Sequence, residues 1–571
     1  MGLTARAMDR ATGAEAPHAS PAAEDLAHAL GLSVTVADVL HGRGFAADER
    51  TRRFLAPKLA HLTPPDGMAD RAPAAARIAR AIRDRETVCL FGDYDCDGVT
   101  ATAIMAETID RLGGRTVPVL ASRFGSGYGL TEPALERVRA TGASLVVTCD
   151  CGSSDHAQLG ALRASGIDAV VIDHHLVPDA PLPAVAFLNP CRPDCGFPYK
   201  GMASCGLALS LAAELRKQVG RELDLRPLLD LVAIGTVADV APLDGDNRVL
   251  VKVGLDVLGA GGRAGLGALG AGAGRRFERP TAQDIAFFFG PRLNAPGRLG
   301  DASLALELVL ARDAGRAREI AVALERLTAE RREIQRAMLA DAMADIDAQG
   351  WADDPALVLA RQGWHPGVVG IVAGRLAQRY RRPAIVVALD GAAGRGSVRA
   401  PDGFRIHDAL TECADVLESF GGHQAAAGLE VRAERIAALR ERWCRVAAAA
   451  GAAATDRDTG ERVSPVRLDE RDDLARVLAD LDLIEPCGEG NPAPLVVVGP
   501  ARVVQARDAK GHLRLQLDWS GRPLGAFWPE RGELCGSLGQ EVRSFVGRLR
   551  RDRWRGGDAA ELLVERLCPS P

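Results

Sequence analysis

Carboxylate and imidazole side chains follow short apolar runs at four places in the sequence. Brought to one site, such groups would supply oxygen and nitrogen ligands that suit Mn²⁺ or Mg²⁺, with imidazole favouring Mn²⁺. Two such ions can hold a phosphate group and activate a water for in-line attack on phosphorus. The four stretches are "GDYDCDG" with Asp93, Asp95 and Asp97, "TCDCG" with Asp150, "DHH" with Asp173, His174 and His175, and "GTVADVAPL" with Asp239.

The first stretch has its carboxylates at a spacing of two. Asp93, Asp95 and Asp97 directly follow the apolar run "VCLF" and a glycine. If that run continued as a strand, all three side chains would point to the same side of the sheet. Carboxylates that close repel one another unless a cation lies among them or water surrounds them. The spacing therefore predicts either a metal site or an exposed acidic turn, and this motif alone does not separate the two.

Apolar runs and helical patterns alternate through the first part of the chain. The runs cover 87–91, 116–120, 144–150 and 168–175. This alternation predicts a parallel, doubly wound sheet. Because ligands bind at the carboxyl ends of the strands in such sheets, we expect the acidic and His residues to meet at one edge. No phosphate-binding G-x-x-x-x-G-K-[ST] loop and no G-x-S-x-G turn is present, which argues against nucleoside triphosphate hydrolysis and serine acyl transfer.

The chain has 571 residues, more than one hydrophobic core supports. A proline-free amphipathic stretch separates two α/β regions, and short strands with polar turns occupy the C-terminal part. Residues 1–22 are expected to be disordered and 447–465 to form a linker. The predicted parts are a partly disordered, partly helical segment (1–50), a first α/β domain (51–300), a long connecting helix (301–354), a smaller α/β domain (355–450) and a β-barrel (464–571).

Composition and charge are those of an ordinary globular chain. Hydrophobic residues make up 47% and charged residues 25%, and no apolar run reaches membrane-spanning length. The sequence starts without the apolar segment of a secretory signal, and its 12 cysteines are scattered as reduced thiols would be. We therefore expect a cytoplasmic protein that does not contact a membrane. A net charge of −5 argues against a uniformly basic surface but allows a local basic channel.

The four acidic stretches resemble the four motifs of the DHH phosphoesterase superfamily. "GWHPGVVGIVAGRL", "GRGSVRAP" and "GGHQAAAGL" resemble the DHH-associated substrate domain of that superfamily. "RFGSGYGL", "PRLNAPGRLGDAS" and "LIEPCGEGNPAPL" are similar to the bacterial single-strand-specific exonucleases within it. The resemblance extends from about residue 50 to the C-terminus. It implies an α/β fold in which a parallel-sheet DHH domain and a smaller DHH-associated domain are joined by a long helix, with a C-terminal OB-fold.

The resemblance also implies roles for the acidic and His residues. It implies two divalent cations, Mn²⁺ or Mg²⁺, bound by Asp93, Asp95, Asp97, Asp150, His174 and Asp239. The implied catalytic residues are Asp95, Asp97, Asp150, His174, His175 and Asp239. His175 would contact the phosphate or lie just behind the metal ligands. Asp93 is the less direct ligand, and its alternative role is a hydrogen bond beneath the site.

Phe91 and three cysteines depart from a simple ligand set. Phe91 stands where many superfamily members carry a His, which leaves one metal short of a ligand unless Asp93 or water replaces it. Cys96, Cys149 and Cys151 are next to ligand candidates in the sequence. They could bind metal as thiolates, but we expect small buried fillers because neighbours along a strand point to opposite sides.

Candidate substrate-binding residues follow from the same resemblance. Arg123 and Tyr128 would meet a terminal phosphate and stack on a base, which contributes roughly 1–3 kcal/mol per base without sequence preference. Arg292 and Asn294 would contact the strand or tie the two lobes together. The residues expected to hold a phosphate from the second lobe are Ser397, Arg399 and His423. The basic and aromatic residues expected to track a strand on the barrel are Arg543, Arg548, Arg550, Arg551, Arg553 and Arg555, with Phe545 and Trp554.

The implied activity is metal-dependent degradation of single-stranded DNA from 5′ to 3′ to mononucleotides, in recombination and repair. Single-strand-binding protein and a helicase are expected protein partners, and we expect a monomer. One alternative is a catalytically impaired DHH protein that serves as a single-strand-binding module. Another is a DHH phosphodiesterase acting on short RNA or cyclic dinucleotides, although such chains are generally shorter and lack the barrel.

Overall fold

A computed structural model describes residues 19–124, 129–422, 426–454, 464–538, 542–552, 557 and 559–568. The chain forms two compact units. The terminal unit contains the described residues of 1–62, 242–253 and 462–571, and the central unit contains those of 63–241 and 254–461. Within the described part of the chain, no helix is both long and apolar enough to cross a membrane.

Helices and strands account for most of the described chain. The helices are α1 (Pro21–Leu30), α2 (Val34–Gly42), α3 (Glu49–Leu55), α4 (Arg71–Arg83), α5 (Cys96–Arg111), α6 (Glu132–Ala140), α7 (His156–Ala164), α8 (Ser204–Val219), α9 (Leu229–Ala238), α10 (Gly245–Gly259), α11 (Ala264–Gly272), α12 (Ala282–Asp284), α13 (Gly290–Leu293), α14 (Ala295–Leu299), α15 (Ser303–Leu310), α16 (Ala314–Gln349), α17 (Val369–Tyr380), α18 (Ile406–Thr411), α19 (Ile436–Ala454) and α20 (Leu474–Ile484). The strands are β1 (Thr87–Gly92), β2 (Arg115–Leu120), β3 (Leu145–Cys149), β4 (Asp168–Ile172), β5 (Ala186–Leu188), β6 (Leu357–Gln362), β7 (Ala384–Asp390), β8 (Ala393–Arg399), β9 (Ser419–Gly422), β10 (Ala426–Arg432), β11 (Val466–Arg467), β12 (Val496–Ala509), β13 (His512–Trp519), β14 (Arg522–Trp528), β15 (Val542–Arg551) and β16 (Ala560–Leu567).

The first sheet of the central unit is parallel, as predicted. Its strand order is β2-β1-β3-β4-β5. The strands are apolar because both faces of the sheet are covered. Hydrogen bonds continue past the strand ends from Asp93 N to Cys149 O and from Asp150 N to Ile172 O. The carboxyl ends of β1, β3 and β4 are therefore aligned, and the residues that follow them meet at one edge.

A long helix separates the two α/β regions, as the amphipathic stripe predicted. The expected helix over 301–354 is divided in the structure into α15 and the 36-residue α16. Asp313 caps the start of α16 by accepting the Arg316 N–H, and Gly350 ends it in the left-handed conformation. Of the predicted stripe, Ile320, Leu324 and Met338 are buried, and Leu327 and Ile334 are half-buried.

The second α/β region is a mixed sheet. Its order is β6-β7-β8-β10-β9, in which only β6 and β7 run parallel. Helix α17 packs on this sheet through buried residues that include Val372 and Leu376. The predicted linker over 447–465 is wrong in its first part, because α19 continues to Ala454.

The terminal unit contains the predicted barrel. Strands β12, β13, β14, β16 and β15 form a sheet that closes through pairing of β12 with β15, while β11 lies beside β12. Helices α1 and α2 contribute Leu26, Val36 and Leu40 to the same apolar core as Trp519. Helix α1 begins at Pro21 behind the capping Ser20, so the expected disorder does not extend through residue 22.

The expected strand-tracking surface on the barrel is only partly available. Ion pairs link Arg548 to Glu565, Arg550 to Glu561 and Arg551 to Asp482 at 2.9, 2.6 and 2.8 Å. The ring of Phe545 is buried in the core, so the prediction that it belongs to a strand-tracking surface is wrong. Arg553, Trp554 and Arg555 lie outside the described residues. Neighbouring carboxylates therefore neutralise three of the arginines that the sequence suggested as phosphate contacts.

One strained residue offers a test of local stability. Val240 follows α9 with φ 61°, and hydrogen bonds from Val240 N to Val237 O and from Ala241 N to Thr236 O give it the helix-ending position that glycine normally occupies. Its side chain is 65% exposed, so little burial offsets the left-handed conformation, which costs roughly 1–2 kcal/mol for an L-residue.

We expect Val240→Gly to raise the midpoint of thermal unfolding. The expected gain in the free energy of unfolding is at most about 1 kcal/mol, because glycine also gives the unfolded chain more entropy. The matched control is Val322→Gly, since Val322 is 69% exposed in the middle of α16. That control is expected to lose about 0.3–0.5 kcal/mol, the difference between the helix propensities of valine and glycine. Equal destabilisation by both changes, measured by calorimetry, would contradict the assignment of strain at Val240.

Candidate metal centre and arginine cluster

The first acidic stretch is a turn between β1 and α5, so the strand ends at Gly92, before the three carboxylates. Asp95 is the N-cap of α5, and its carboxylate accepts the N–H groups of Asp97 and Gly98 at 3.0 and 3.2 Å. Asp93 precedes this turn and Asp97 lies in the first turn of the helix, both buried. A Cβ at Gly98 would lie 2.6 Å from Asp93 O, so only glycine fits the close approach. Capping, and not strand alternation, directs these carboxylates.

Asp150 follows β3 in an uncommon backbone conformation. Its φ is 69°, and its side chain is almost completely buried. Asp tolerates the left-handed region better than most residues because its short polar side chain can bond locally. The turn therefore directs the Asp150 carboxylate inward at the edge where the strands β1, β3 and β4 end.

Asp173 positions the two histidines that follow it. Its carboxylate accepts the N–H groups of Ser153, His174 and His175, and it contacts His175 Nδ1 at 2.6 Å. Burial acts to raise the pKa of Asp173, but the hydrogen bond and charge of His175 lower it below its usual range. Burial likewise acts to lower the pKa of His175, yet the Asp173 carboxylate raises it to about 9.

The structure brings together all the predicted metal and catalytic residues. The potential ligand atoms fall into three groups, and within each group they lie within 4.8 Å of one another. Asp150 and His174 each belong to two groups, so the groups are contiguous and could hold two ions with shared ligands. The groups are Asp93, Asp95 and Asp150; Asp97, His174 and Asp239; and Asp150, His174 and His175.

The state of His174 fits a metal ligand. Its buried Nε2 makes no hydrogen bond to any described residue, although it lies 3.3 Å from Asp150 Oδ1 and 3.6 Å from Asp239 Oδ2. Burial lowers the pKa of His174, which favours the neutral imidazole with a lone pair available. A buried lone pair directed at carboxylates needs either a proton or a cation between them.

The carboxylates also fit a cation site. Burial and then the charges of neighbouring aspartates raise the pKa values of Asp93 and Asp150 well above the usual range. The same causes raise the pKa of Asp239 to about 9. Because the donor set is oxygen with imidazole, it suits Mn²⁺ and Mg²⁺, and a bound divalent ion would relieve the repulsion.

Phe91 and the adjacent cysteines belong to the core. Phe91 is fully buried in the apolar cluster on one face of the sheet, so it supplies no ligand. Cys96, Cys149 and Cys151 are also buried, and burial raises the pKa of each thiol. None of them belongs to a ligand group within the described part of the chain, which fits the expected role of fillers.

Three family models match this chain. The model of the DHH family N-terminal domain matches residues 87–236, that of the DHHA1 domain 353–449, and that of the RecJ OB domain 468–566. The single-stranded-DNA-specific exonuclease RecJ of Bacillus subtilis is 34% identical over 95% of this chain and 69% of its own length. This chain belongs to the RecJ family. The Escherichia coli RecJ is 33% identical over 86% of this chain and 89% of its own length.

Solved RecJ structures resemble the whole described architecture. The Thermus thermophilus RecJ in complex with Mn²⁺ has a TM-score of 0.80 at 32% identity, and the match covers 96% of this chain and 78% of that one. The same protein in complex with Mg²⁺ has a TM-score of 0.74 at 30% identity, covering 96% and 77%. The metals in those relatives are the two for which the donor set of this RecJ-family chain is suited.

Four arginines gather beside the metal centre. The guanidinium of Arg123 stacks over the Tyr94 ring at 4.3 Å, and its charge acts on the Asp93 carboxylate. Burial, followed by the charges of Arg123, Arg331 and Arg399, lowers the pKa of Arg298 to about 10. Among the described residues, no carboxylate lies within ion-pair distance of these four guanidinium groups, which we call the arginine cluster: Arg123, Arg298, Arg331 and Arg399. Like charges held so close suit a bound anion such as phosphate.

Ser397 and Arg399 meet in the second α/β region. Arg399 Nη1 donates to Ser397 Oγ at 2.8 Å and to Val398 O at 2.7 Å. Burial and then the charge of Arg123 lower the pKa of Arg399. Arg123 Nε is buried and makes no hydrogen bond with any described residue. Tyr128 and His423, the other expected phosphate or base contacts, lie outside the described residues.

Arg292 and Asn294 occupy the segment before α14. Arg292 is buried, and it forms an ion pair with Glu325 at 2.5 Å and stacks on Phe288 at 3.7 Å. That geometry favours the role of tying α13 to α16 over contact with a DNA strand. Asn294 Oδ1 is buried without a hydrogen bond to a described residue, so its amide stays a candidate for substrate contact.

Sequence reasoning missed Arg298, although it lies in the quoted stretch "PRLNAPGRLGDAS". Helix α14 is tightly enclosed, since a Cβ at Gly297 would lie 2.6 Å from Tyr94 O and one at Gly367 would lie 1.9 Å from Arg298 O. Arg298 Nη1 also donates to Gly367 O at 3.3 Å. Gly297 and Gly367 were the available signal in the sequence. Other parts of the backbone approach each of these positions too closely for a side chain, and only glycine fits there.

The raised carboxylate pKa values predict a link between pH and metal binding. A carboxyl whose pKa is raised in the folded chain contributes its full stabilisation of the fold below about pH 4, the ordinary Asp value. That contribution is lost as pH rises toward about 9, the pKa of Asp239. We expect the midpoint of thermal unfolding in EDTA to fall between pH 6 and pH 8.5. The increase in the midpoint on adding Mn²⁺ should grow over the same window, because binding releases protons. A shift with Mn²⁺ that is independent of pH, measured by calorimetry, would contradict this assignment.

Proposed function

We propose that this chain is a metal-dependent exonuclease that degrades single-stranded DNA from 5′ to 3′ and releases mononucleotides, in DNA recombination and repair. The observation that carries the proposal is the position of a carboxylate and imidazole centre beside an arginine cluster that has no carboxylate partner among the described residues. The first can hold divalent ions, and the second suits the phosphates of a strand. Membership of the RecJ family supports the same activity.

The metal centre would be formed by Asp93, Asp95, Asp97, Asp150, His174 and Asp239. Bound Mn²⁺ or Mg²⁺ supplies an activated water and charge neutralisation at the scissile phosphate. The protein keeps the ligands in place through the Asp95 cap and the left-handed turn at Asp150. These constraints hold the carboxylates together before substrate binds, so little reorganisation is needed during the reaction.

His175 contributes a positive charge. Its Nδ1 donates to the Asp173 carboxylate, and the raised pKa keeps the imidazole protonated at neutral pH. A cation at this position stabilises negative charge that develops on the phosphate and on the departing 3′ oxygen. Asp173 thus acts through His175, and its own ionised form is maintained by three N–H groups.

The arginine cluster would hold a phosphate at the end of the strand. Arg123 and Arg399 come from different α/β regions of the same unit, and the charges of both act on Arg298. A bidentate guanidinium matches the oxygens of phosphate, and each such contact is stronger than a neutral hydrogen bond. We propose that Tyr128 and His423 complete this site as a base-stacking and a phosphate-binding residue.

We further propose a cytoplasmic monomer that works with single-strand-binding protein and a helicase. Support for a monomer is that both clusters lie in one unit of a single chain. The 12 cysteines form no disulfide, which suits a reducing compartment. An enzyme confined to single strands needs other proteins to open or present duplex DNA, and this requirement motivates the helicase partner.

The test uses oligonucleotides labelled at the 5′ or the 3′ end, incubated with Mn²⁺, Mg²⁺ or EDTA beside a duplex control. The expected result is immediate release of the 5′ label as a mononucleotide, only from the single strand and only with metal. Binding without degradation would favour the single-strand-binding module. Cleavage confined to short RNA or cyclic dinucleotides would favour the phosphodiesterase alternative, and early release of the 3′ label would reverse the polarity.

A further inference from the structure

The N-terminus of α8 contacts the metal centre from a stretch that no motif includes. Both oxygens of the Asp97 carboxylate accept backbone N–H groups there, from Ser204 at 2.7 Å and from Cys205 at 2.9 Å. These N–H groups belong to the first turn of α8, where no helical carbonyl is available to them. The positive end of the helix dipole also faces this carboxylate. Asp97 is therefore held by a second helix in addition to its own.

The hydroxyl of Ser204 contacts a different ligand. Ser204 Oγ donates to Asp150 Oδ1 at 2.9 Å, and the side chain is completely buried. The hydroxyl does not cap the helix, because the N-cap position is Ala203 and Ser204 is the first helical residue. One serine thus connects the carboxylates of Asp97 and Asp150, which come from α5 and from the end of β3.

We propose that Ser204 is a positioning residue of the metal centre, a role that rests on the proposed metal-dependent function. Its N–H fixes Asp97 and its hydroxyl fixes the orientation of Asp150, whose Oδ1 also lies 3.3 Å from His174 Nε2. The hydroxyl occupies one lone pair of the Asp150 oxygen, and the other would remain available to a bound cation. Partners that orient metal ligands typically change metal affinity 10–100-fold when they are removed.

The first part of the test measures Mn²⁺ binding to the full chain by calorimetry and by electron paramagnetic resonance of free Mn²⁺. Ser204→Ala is expected to weaken binding about 10–100-fold, while its thermal midpoint in EDTA stays near that of the wild type. Ser204→Thr keeps the hydroxyl and is expected to retain most of the affinity. The matched control is Ser165→Ala, since Ser165 Oγ only donates to the Ala161 carbonyl on α7.

The second part measures DNA degradation against Mn²⁺ concentration. Ser204→Ala is expected to need more Mn²⁺ for half-maximal activity, with the same maximal rate at saturating metal and the same KM for DNA. Unchanged Mn²⁺ affinity within twofold would overturn the proposal. Equal loss of thermal stability with and without Mn²⁺ would also overturn it, because it would assign the serine a purely structural role.

The two parts separate this proposal from the exonuclease proposal. A wild-type chain that binds Mn²⁺ and leaves DNA intact would reject the exonuclease function, while the difference in Mn²⁺ affinity between wild type and Ser204→Ala would still decide the role of the serine. A wild-type chain that binds no Mn²⁺ would overturn the role of Ser204 together with the metal centre.

Discussion

Asp150→Asn is expected to reduce DNA degradation by at least about 10³-fold, which corresponds to roughly 4 kcal/mol in the barrier. Asp150 belongs to two of the three ligand groups, so its charge acts at both expected ion positions. The amide also keeps an acceptor for Ser204 and tolerates the left-handed conformation at φ 69°. The same change should raise the thermal midpoint in EDTA more at pH 8.5 than at pH 6, because it removes a buried charge only where the carboxyl is ionised.

Two further variants separate charge from backbone effects. Asp150→Ala should be equally inactive but less stable than Asp150→Asn, since alanine fits positive φ poorly. Asp347→Asn is the matched control, because Asp347 is exposed on α16 and should leave activity unchanged. Activity of Asp150→Asn above about a tenth of the wild-type rate at saturating Mn²⁺, well above the loss expected for a metal ligand, would contradict its assignment to the metal centre.

Arg298→Ala is expected to raise the KM for single-stranded DNA about 10–100-fold, with a smaller effect on the maximal rate. A charge-assisted hydrogen bond to phosphate contributes about 1.5–3 kcal/mol, and Arg298 is a half-buried member of a cluster of four positive charges. Loss of one phosphate contact should also decrease the slope of log affinity against log salt by about 0.7 for a single strand. Affinity measured at several salt concentrations tests both expectations.

The control for this variant is Arg312→Ala, since Arg312 is exposed and paired with Asp110. It should leave both KM and the salt slope unchanged. Oligonucleotides with a 5′ phosphate or a 5′ hydroxyl then locate the contact, because only a terminal site distinguishes them. An Arg298→Ala chain with the wild-type salt slope would show that Arg298 contacts no phosphate and serves only to join α14 to the second α/β region.

The sheet and the barrel were predictable because each has a strong sequence pattern. Strands of the parallel sheet are buried on both faces and read as continuous apolar runs such as "LVVT", whereas the barrel strand "HLRLQLDW" alternates. The packing of α1 against the barrel was not predictable. An apolar helix face such as that of Leu26 indicates that it is buried but does not identify the element that covers it.

The site was predictable as a set of residue types and less so as a geometry. Four acidic stretches at strand or helix ends were sufficient to propose a metal centre, yet the spacing of Asp93, Asp95 and Asp97 did not show whether they lie on a strand or in a turn. The same spacing of carboxylates occurs in a capped turn and in a strand. Only the presence of a helix directly after the motif distinguishes the two structures. Ser204 and Arg298 act through contacts with residues distant in sequence, so no local pattern indicates their roles.

The terminal unit combines segments from distant parts of the sequence, and this arrangement sets the order in which the chain can fold during synthesis. Ser33 N bonds to Asp480 Oδ2 across 447 positions, within a core that also contains residues of α2 and the barrel. At roughly 5–20 residues per second, the ribosome needs on the order of 20–90 s to produce that partner. The apolar faces of α1 and α2 therefore leave the ribosome long before the barrel exists. The metal-binding sheet can form while this unit is still incomplete, so α1 and α2 are synthesised before that sheet but are buried only after the barrel strands follow.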